Sequence, residues 1–532
     1  MKKILCVFLM IMMLTLGFAA CSPKSDSGGG ISGGDGERVL TVADSSDPGT
    51  LDPWQAPSDG IHVYNETYQG LFNYEYFGSE IVGILGQGYE EVDGKTYRVK
   101  IYDNIFDTGG NQITASDVVW SYEKAIAAAT WNNRVGVIDH IDIVDDYTMD
   151  FVYSVEIDRE QFNDSMMIMV VDQETYESLG KDEFNAHPVA TGPYYFGEYV
   201  TGSYYTLVKN EDYWKDPELR TVHEQQNVDV INFRIITDTA QVALALKSGD
   251  VDISKVDAAN APDFYDYRTE TTTDGYYVQV SPGNACRGLV FNCSADSVLQ
   301  DQNLRYAVCY AIDNQALIDA TEGGNGEVEY TFGGNQYGGF QEAMVEEAKT
   351  NIYSYDLGKS EEYLKAAGYE KGELKLRLIC GSFNERYAVA LQAQLLQAGI
   401  NAEVLSYDAA LYEAYTVDST QWDINLFIRG KSAGTLPAFW GHHVNGTNYE
   451  YGSANFIFDP AMEELYRKSL ENDATDEDVL MVHDYITDKA YFYGLFNGVE
   501  YYVGQEGVTN VYYTDFLGIE GGSCTFTDDF FE

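Results

Sequence analysis

Apolar and polar residues alternate along several stretches of the chain with the period of two that half-buried β-strands show. "RVLTVAD" at 38–44 and "KTYRVKIYDN" at 95–104 each place apolar side chains on one face. "HIDIVDDYTMDFVY" at 140–153 predicts two strands joined by a tight turn. "ATGPYYFGEYVTGSYYTLVKNEDYW" at 190–214 predicts another pair, which turns at Gly202–Ser203. We therefore expect the first half of the chain to be rich in strands.

Other stretches have the helical period of 3.6 residues. "VYNETYQGLFNYEY" at 63–76 predicts a helix, and so does "ITASDVVWSYEKAIAAA" at 113–129. Thr114 and Asp117 are spaced as a capping box at the start of the second helix, and Asp356 is the expected cap of a later one.

In the second half of the chain the pattern changes from mostly strands to strands accompanied by helices. Helical patterns at 301–313, 355–369 and 384–400 accompany alternating strands at 373–380 and 401–407. A strand, a helix and a strand at these spacings form the crossover unit of an α/β layer. The sequence therefore predicts two α/β lobes of different composition.

The N-terminus resembles an export signal. An apolar run follows Lys2 and Lys3, too short to span a bilayer, and ends in small residues before Cys21. This layout is similar to a bacterial lipoprotein cleavage site, and it predicts a signal peptide at 1–20 with Cys21 as the lipid anchor. An ordinary signal peptide cut near Ala20 is the alternative. The Ser/Gly-rich segment 21–36 is expected to be a flexible tether.

Charge and cysteine content exclude several classes of protein. The formal net charge is −53, so the chain lacks the basic surface that nucleic-acid binding requires. With 45% hydrophobic residues it is expected to fold around a substantial core rather than to be disordered. No CxxC pattern occurs, and we expect no zinc site, no cofactor and at most two disulfides from five scattered cysteines. These are Cys286, Cys293, Cys309, Cys380 and Cys524.

Seven stretches in register resemble the family 5 solute-binding proteins of ABC importers, the oligopeptide, dipeptide and nickel-binding type. The stretches are "DPGTLDP", "VYNETYQGLF", "ITASDVVWSYEKA", "ATGPYYF" with "NEDYW", "VALALKSGDVDI", "VFNCSADSVLQDQNLRYAVCYAID" and "YDLGKSEEYLKAAGY". The resemblance implies an α/β, two-lobed fold of the periplasmic-binding-protein type II, with a hinge and an extra subdomain inserted in the first lobe. The implied boundaries are 37–65, 189–280 and 497–532 for the first lobe, 66–188 for the insert, and 281–496 for the second lobe.

The resemblance also implies a function. A lipid-anchored monomer on the outer face of the bacterial cytoplasmic membrane would capture a peptide or other small polar solute between its lobes and deliver it to the permease. The chain is not expected to be an enzyme, since no G-x-S-x-G, H-E-x-x-H or Cys-His motif occurs. A secreted hydrolase of sugars or peptides and a surface adhesin are the alternatives.

The loop after a second-lobe strand bears on the ligand. Peptide-binding members of the family have an aspartate there for the peptide ammonium group, whereas this chain has Ser432 between Asp423 and Trp440, with no carboxylate. Either Arg429 or Lys431 meets an anionic or hydroxyl-rich ligand, or a peptide is held by an acid from elsewhere. For Arg429 and Lys431 the alternative is that they form surface ion pairs. For Trp54 and Trp440 the alternative is a position in the hydrophobic core. Trp54 and Trp440 would stack on the ligand, and Tyr277, Asn284 and Arg287 flank the first implied crossing between the lobes, near 279–285. The predicted ligand-binding residues are Trp54, Tyr277, Asn284, Arg287, Arg429, Lys431, Ser432 and Trp440.

Overall fold

The computed structural model of the protein describes residues 37–45, 47–54, 66–75, 81–128, 131–157, 159–334, 337–430, 435–444, 456–471, 473–514 and 518–531. Both helices and strands occur along these residues, with runs of strands mainly in the first half. None of the described helices has both the length and the apolar character that crossing a bilayer requires. Cys21 and the segments 1–20 and 21–36 lie outside the described residues.

The strands are β1 Val39–Asp44, β2 Phe72–Tyr74, β3 Ile81–Gly83, β4 Gly86–Asp93, β5 Thr96–Ile101, β6 Ile138–Asp145, β7 Thr148–Tyr153, β8 Tyr194–Val200, β9 Tyr204–Lys209, β10 Val230–Ile235, β11 Ile253–Val256, β12 Tyr265–Asp266, β13 Thr271–Thr272, β14 Tyr276–Phe291, β15 Gly326–Val328, β16 Lys375–Gly381, β17 Asn401–Tyr407, β18 Ile424–Gly430, β19 Phe492–Gln505, β20 Val508–Asn510, β21 Tyr513–Thr514, β22 Gly518–Ile519 and β23 Thr525–Phe526. The helices are α1 Ala115–Ala127, α2 Asn132–Val135, α3 Arg159–Ser165, α4 Gln173–Leu179, α5 Lys181–Ala186, α6 Thr239–Ser248, α7 Gln302–Tyr310, α8 Asn314–Glu322, α9 Glu342–Thr350, α10 Leu357–Ala366, α11 Glu385–Ala398, α12 Ala409–Thr416, α13 Leu436–Val444, α14 Pro460–Ser469 and α15 Asp476–Lys489.

One long sheet runs through the molecule in the order β17-β16-β18-β14-β19-β11-β1-β10-β9-β8, with β15 paired to β19. The long strands β14 and β19 lie at its middle and pair antiparallel along most of their length. Their ladder is irregular between Pro282 and Cys286. The predicted crossings between the lobes fall within these two strands, whose outer halves pair with β11 on one side and β18 on the other. The division into lobes and insert stays a prediction.

The strand-rich half contains a separate four-stranded sheet in the order β4-β5-β7-β6. Tyr97, Val99 and Ile101 of β5 are buried against α1, as their alternation predicts. The predicted capping box is present at α1, because the Asp117 carboxylate accepts the backbone N–H of Thr114 at 2.9 Å.

The Gly-Pro turn at 192–193 lies against the chain at 66–67. The N–H of Gly192 donates to the carbonyl of Thr67 at 2.8 Å, and the N–H of Tyr194 donates to that of Glu66 at 2.9 Å. A Cβ on Gly192 would stand 2.6 Å from the Glu66 carbonyl oxygen and closer still to that of Thr67. Only glycine allows this approach, which joins the predicted β8–β9 pair to the neighbouring segment.

The second half confirms the predicted crossover. β16 and β17 pair in parallel and are connected by α11, which ends at Gly399 in the left-handed region with φ 84°. Leu374, Leu376 and Leu378 are buried beneath it. The Asp356 carboxylate caps α10, as predicted.

The prediction of a helix at 63–76 is wrong for residues 66–75, the part of this segment that the structure describes. Residues 66–68 form turns, and β2 begins at Phe72. Gly70 packs against the backbone of Met167, so that a Cβ would stand 2.9 Å from its carbonyl carbon. The buried residues Tyr68 and Leu71 belong to the same hydrophobic core as α1 and β5, and this tertiary packing overrides the local helical pattern.

All five cysteines of the described residues are free thiols. Cys286, Cys309, Cys380 and Cys524 are buried. Burial raises the pKa of the Cys380 thiol to about 11. Burial also raises the pKa of the Cys293 thiol to about 11, although the positive charge of Arg305 opposes this shift.

Candidate ligand-binding cleft

A cleft with a volume of about 630 Å³ lies beside the irregular part of the β14–β19 ladder. The predicted first lobe contributes the end of β11 and the segment after it, together with residues 498–500 of β19. The predicted second lobe contributes residues of β14 and β18 and the ends of α8 and α11 that face them. The charged residues of its lining are Lys255, Asp257, Arg287, Glu322, Arg386 and Glu500.

Arg287 projects from β14 into this cleft and is half-buried. Its guanidinium carbon lies 4.9 Å from the centre of the Tyr387 ring and 5.2 Å from that of Phe496, so that two aromatic faces hold the cation. Its Nε is buried without a hydrogen-bond partner among the described residues. No carboxylate of the described chain forms an ion pair with it, although the protein carries 85 acidic residues.

The other two cations of the cleft are paired. Lys255 Nζ lies 2.6 Å from Glu500, whose second oxygen accepts the Tyr502 hydroxyl at 2.8 Å. Arg386 lies 2.8 Å from Glu322. The unpaired cation is therefore Arg287, in a lining that contains three cations and three carboxylates.

Tyr387 links Arg287 to the Arg386 pair. Its hydroxyl donates to Glu322 at 2.5 Å, and its ring lies beneath both guanidinium groups. Burial raises the pKa of this hydroxyl above its usual value, although the positive charge of Arg287 opposes the shift. The tyrosine stays neutral and keeps the Glu322 carboxylate turned towards Arg386.

The cleft offers only oxygen donors to a metal ion, because its described lining residues include neither histidine nor cysteine. Carboxylate oxygens without nitrogen or sulfur suit Mg²⁺ and Ca²⁺. Since two of its three carboxylates are already in ion pairs, the arrangement is better suited to a solute that carries its own charges.

The two tryptophans predicted to stack on a ligand are core residues in the structure. Trp54 is 6% exposed and lies edge-on to Trp120 and Tyr176 at 5.3 and 5.1 Å between ring centres. Trp440 is 1% exposed, and its Nε1 donates to the carbonyl of Phe332 at 2.8 Å. Their burial favours the core alternative over ligand contact, because neither ring has a free face.

The other predicted site residues are distributed around the crossing strands. The hydroxyl of Tyr277, which is outside the cleft lining, donates to Gln279 at 2.9 Å. Asn284 lies in β14 between two residues of the cleft lining, and Arg429 pairs with Cys286 across the ladder, but neither side chain is among those described. Lys431 and Ser432 lie outside the described residues.

Sequence analysis missed five charged residues of the cleft. They come from four places in the chain, namely the end of β11, the end of α8, the start of α11, and β19. No motif or spacing singled them out, because acidic residues are frequent throughout the sequence. The missed residues are Lys255, Asp257, Glu322, Arg386 and Glu500.

Comparisons with known proteins agree with a two-lobed ligand-binding fold. The sequence matches the family described as "Bacterial extracellular solute-binding proteins, family 5 Middle" over residues 80–451, more than half of the chain. It is 26% identical over 411 residues to the glutathione-binding protein GsiB of Pectobacterium atrosepticum, covering 74% of each chain. It is 23% identical over 474 residues to the oligopeptide-binding protein AppA of Bacillus subtilis, covering 82% of each.

Solved structures share the fold at low sequence identity. The ABC transporter substrate-binding protein CtaP from Listeria monocytogenes superimposes with a TM-score of 0.74 at 20% identity, covering 92% of this chain and 100% of that one. HbpA2 from Haemophilus parasuis gives a TM-score of 0.77 at 17% identity with the same coverage. The fold is the α/β periplasmic-binding-protein type II fold, which confirms the prediction. The chain belongs to the bacterial extracellular solute-binding proteins, family 5, and is a solute-binding protein of the ABC-transporter class.

Proposed function

We propose that this protein is the lipid-anchored solute-binding component of an ABC importer, and that it captures a peptide or similar small solute with a free carboxylate. The observation that carries the proposal is Arg287, a cation without a carboxylate partner in a cleft between the predicted lobes. The ligand carboxylate would supply that partner.

The electrostatics of the cleft support an anionic group on the ligand. Arginine forms paired hydrogen bonds with a carboxylate, and such charge-assisted bonds are about twice as strong as neutral ones. The net charge of −53 does not prevent binding, because exposed charges beyond about 8 Å are largely screened at physiological salt. The cations of the cleft therefore decide what binds.

The same cleft contains a candidate partner for an ammonium group of the ligand. The loop after β18 lacks the family's aspartate, but Asp257 lines the cleft and is exposed. Its carboxylate accepts only from Asn260 among the bonds described, so it is not held in an ion pair. We infer that a zwitterionic ligand places its carboxylate at Arg287 and its ammonium group near Asp257.

Relatives give the ligand class its support. GsiB is named for glutathione and AppA for oligopeptides. DppA from Helicobacter pylori, which shares the fold with a TM-score of 0.68, was solved with the peptide STSA. These names favour short peptides over sugars.

Mass spectrometry of the ligand released by denaturing the purified protein tests this function. We expect short peptides or peptide-like acids. Recovery of neutral glycans would contradict the ligand class, and conversion of a bound ligand by the protein would contradict a transport role.

The anchor and the partner are further parts of the proposal. Cys21 would carry the lipid, and the two lobes would close over the solute and present it to a permease. Replacing Cys21 by serine is expected to move the protein from the membrane to the soluble fraction. Retention at the membrane by the Cys21→Ser protein would show that the anchor lies elsewhere.

A further inference from the structure

Two helices in the second half of the chain bring a glutamate, a histidine and an aspartate together away from the cleft. Glu347 lies on α9, whereas His483 and Asp484 lie on α15. One donor atom from each of the three lies within 4.8 Å of the other two. No metal site was predicted from the sequence, since neither a CxxC nor an H-E-x-x-H motif occurs and the three residues of this group form no such motif.

Two atoms of this group are buried and have no hydrogen-bond partner among the described residues. They are Nε2 of His483, a residue that is 2% exposed, and Oε2 of Glu347. The other ring nitrogen, Nδ1, lies 3.2 Å from Asp484 Oδ1. Buried polar atoms are stable when they have a partner, so a group that bonds to both of these atoms would stabilise the two helices.

The charge of the group indicates a cation. Glu347 and Asp484 contribute two carboxyl groups beside the imidazole of His483, and Asp488 lies one helical turn beyond Asp484 on α15. Within the described chain, neither Glu347 nor Asp484 forms an ion pair with a lysine or arginine.

We propose that Glu347, His483 and Asp484 form a binding site for a divalent transition-metal ion of the Zn²⁺ type. Imidazole nitrogen with carboxylate oxygen is a donor set that Zn²⁺, Co²⁺ and Mn²⁺ accept, whereas Ca²⁺ and Mg²⁺ prefer oxygen alone. Three donors around Zn²⁺ at about 2.0–2.2 Å lie about 3.3 Å from one another, so binding requires movements on the order of 1 Å. Asp484 is half exposed, which leaves room for a water as the fourth ligand.

The position of the site suggests what the ion would do. It would connect α9 to α15, and α15 ends at Lys489, only a few residues before β19 begins at Phe492. The ion would thus fix the helix that leads into one of the two crossing strands.

Titration of the untagged, metal-free protein with Zn²⁺, and separately with Co²⁺, tests the site. We expect one equivalent to bind with at least micromolar affinity, and the Co²⁺ complex to show the visible absorption of a nitrogen- and oxygen-ligated ion. Glu347→Gln and His483→Gln should each weaken binding at least tenfold while the metal-free proteins keep the wild-type circular dichroism spectrum and Tm. Asp484→Asn, which can still orient the imidazole, should weaken binding less.

Two other groups could bind the ion adventitiously and serve as controls. His140 is exposed beside Asp139 and Asp142, and His442–His443 are adjacent in α13. His140→Ala and the double variant His442→Ala with His443→Ala should leave the affinity unchanged. The site would be refuted if either control abolished binding, if Glu347→Gln and His483→Gln bound as wild type, or if no equivalent bound.

Discussion

Arg287 shows how a single side chain can mark a binding site in a highly acidic protein. Lys255 and Arg386 line the same cleft but are held by Glu500 and Glu322. Two aromatic rings hold the Arg287 guanidinium instead, and rings leave the edge of the cation available for hydrogen bonds.

Replacing Arg287 by alanine is expected to weaken ligand binding by about ten- to a hundredfold, because a charge-assisted hydrogen bond contributes about 1.5–3 kcal/mol. Arg287→Lys keeps the charge but not the paired geometry, and should bind with intermediate affinity. Isothermal titration calorimetry with the ligand identified by mass spectrometry measures the effect. Arg467→Ala removes an exposed arginine outside the cleft and serves as the control. Wild-type affinity in Arg287→Ala would contradict the proposal of a ligand carboxylate at this residue, whereas the solute-binding role rests separately on the family match.

A second residue-level prediction concerns Gly192. Its Cβ would overlap two backbone carbonyls, which cannot move aside as a side chain could. Gly192→Ala is therefore expected to lower the free energy of unfolding by at least about 2 kcal/mol. Gly88→Ala is the matched control, since a Cβ there would meet no atom within 4 Å. Equal urea midpoints for the two variants would contradict the close approach.

At the residue scale, the sequence predicted a cleft residue only where the position along the chain limited the candidates. Arg287 was singled out because it flanks a predicted crossing between lobes, and it lies in the cleft. Trp54 and Trp440 were chosen for their aromatic surface, which serves a core as well as a ligand. No pattern in the sequence indicated that Lys255 and Arg386 line the cleft, because the residues that surround them in space are distant in sequence.

At the scale of elements, local signals predicted structure well where they agreed with one another. The capping box of α1 and the strand–helix–strand unit of β16, α11 and β17 combine periodicity with a start or stop residue. The segment 63–76 has periodicity alone. Its described part is a turn and a strand, because Gly70 must pack against the backbone of Met167.

The cap of α10 gives a prediction at this scale. Asp356 accepts the N–H groups of Gly358 and Lys359 at 2.8 and 3.0 Å. Asp356→Ala is expected to cost about 1 kcal/mol, which corresponds to about fivefold faster amide hydrogen exchange in the first turn of the helix. Asp528→Ala, at an exposed position near the C-terminus, is the control. Unchanged exchange in α10 would show that packing alone fixes the start of the helix.

At the scale of the whole molecule, a buried acidic cluster connects distant parts of the chain. Glu66 accepts the N–H of Gly522 at 2.6 Å, and Glu520 lies 3.0 Å from His223. Burial and the nearby Glu520 raise the pKa of Glu66 to about 8. Burial disfavours the charged form of His223, but Glu520 prevails and raises its pKa. No sequence pattern could predict this cluster, because its members are up to 456 residues apart.

The cluster makes stability depend on pH. The folded protein holds the Glu66 proton up to about pH 8, whereas the unfolded chain loses it near 4.5. Rising pH therefore favours the unfolded chain. The raised pKa of His223 acts in the same direction, because the stabilisation by its protonated form is present at low pH and is lost as the pH rises through the folded-state pKa. We expect Tm to fall from about pH 5 to about pH 8, and Glu66→Gln to make this slope shallower. Glu506→Gln, at an exposed position, should keep the wild-type slope. Parallel slopes in all three proteins would contradict the assignment to Glu66.

The architecture as a whole could be predicted through resemblance rather than through pattern. Pattern alone predicted two α/β lobes, and the implied type II fold is confirmed by the solved structures. The continuous sheet through β14 and β19 was not predicted, because strand pairing across the middle of the molecule leaves no local trace.

The free thiols have a consequence for how the fold responds to reducing conditions. Because the described residues contain no cystine, the packing of this part of the chain does not depend on the oxidation of thiols. Its four buried sulfur atoms behave as small hydrocarbon-like fillers in tightly packed interiors. We therefore expect a reducing agent to leave the stability of the described fold unchanged.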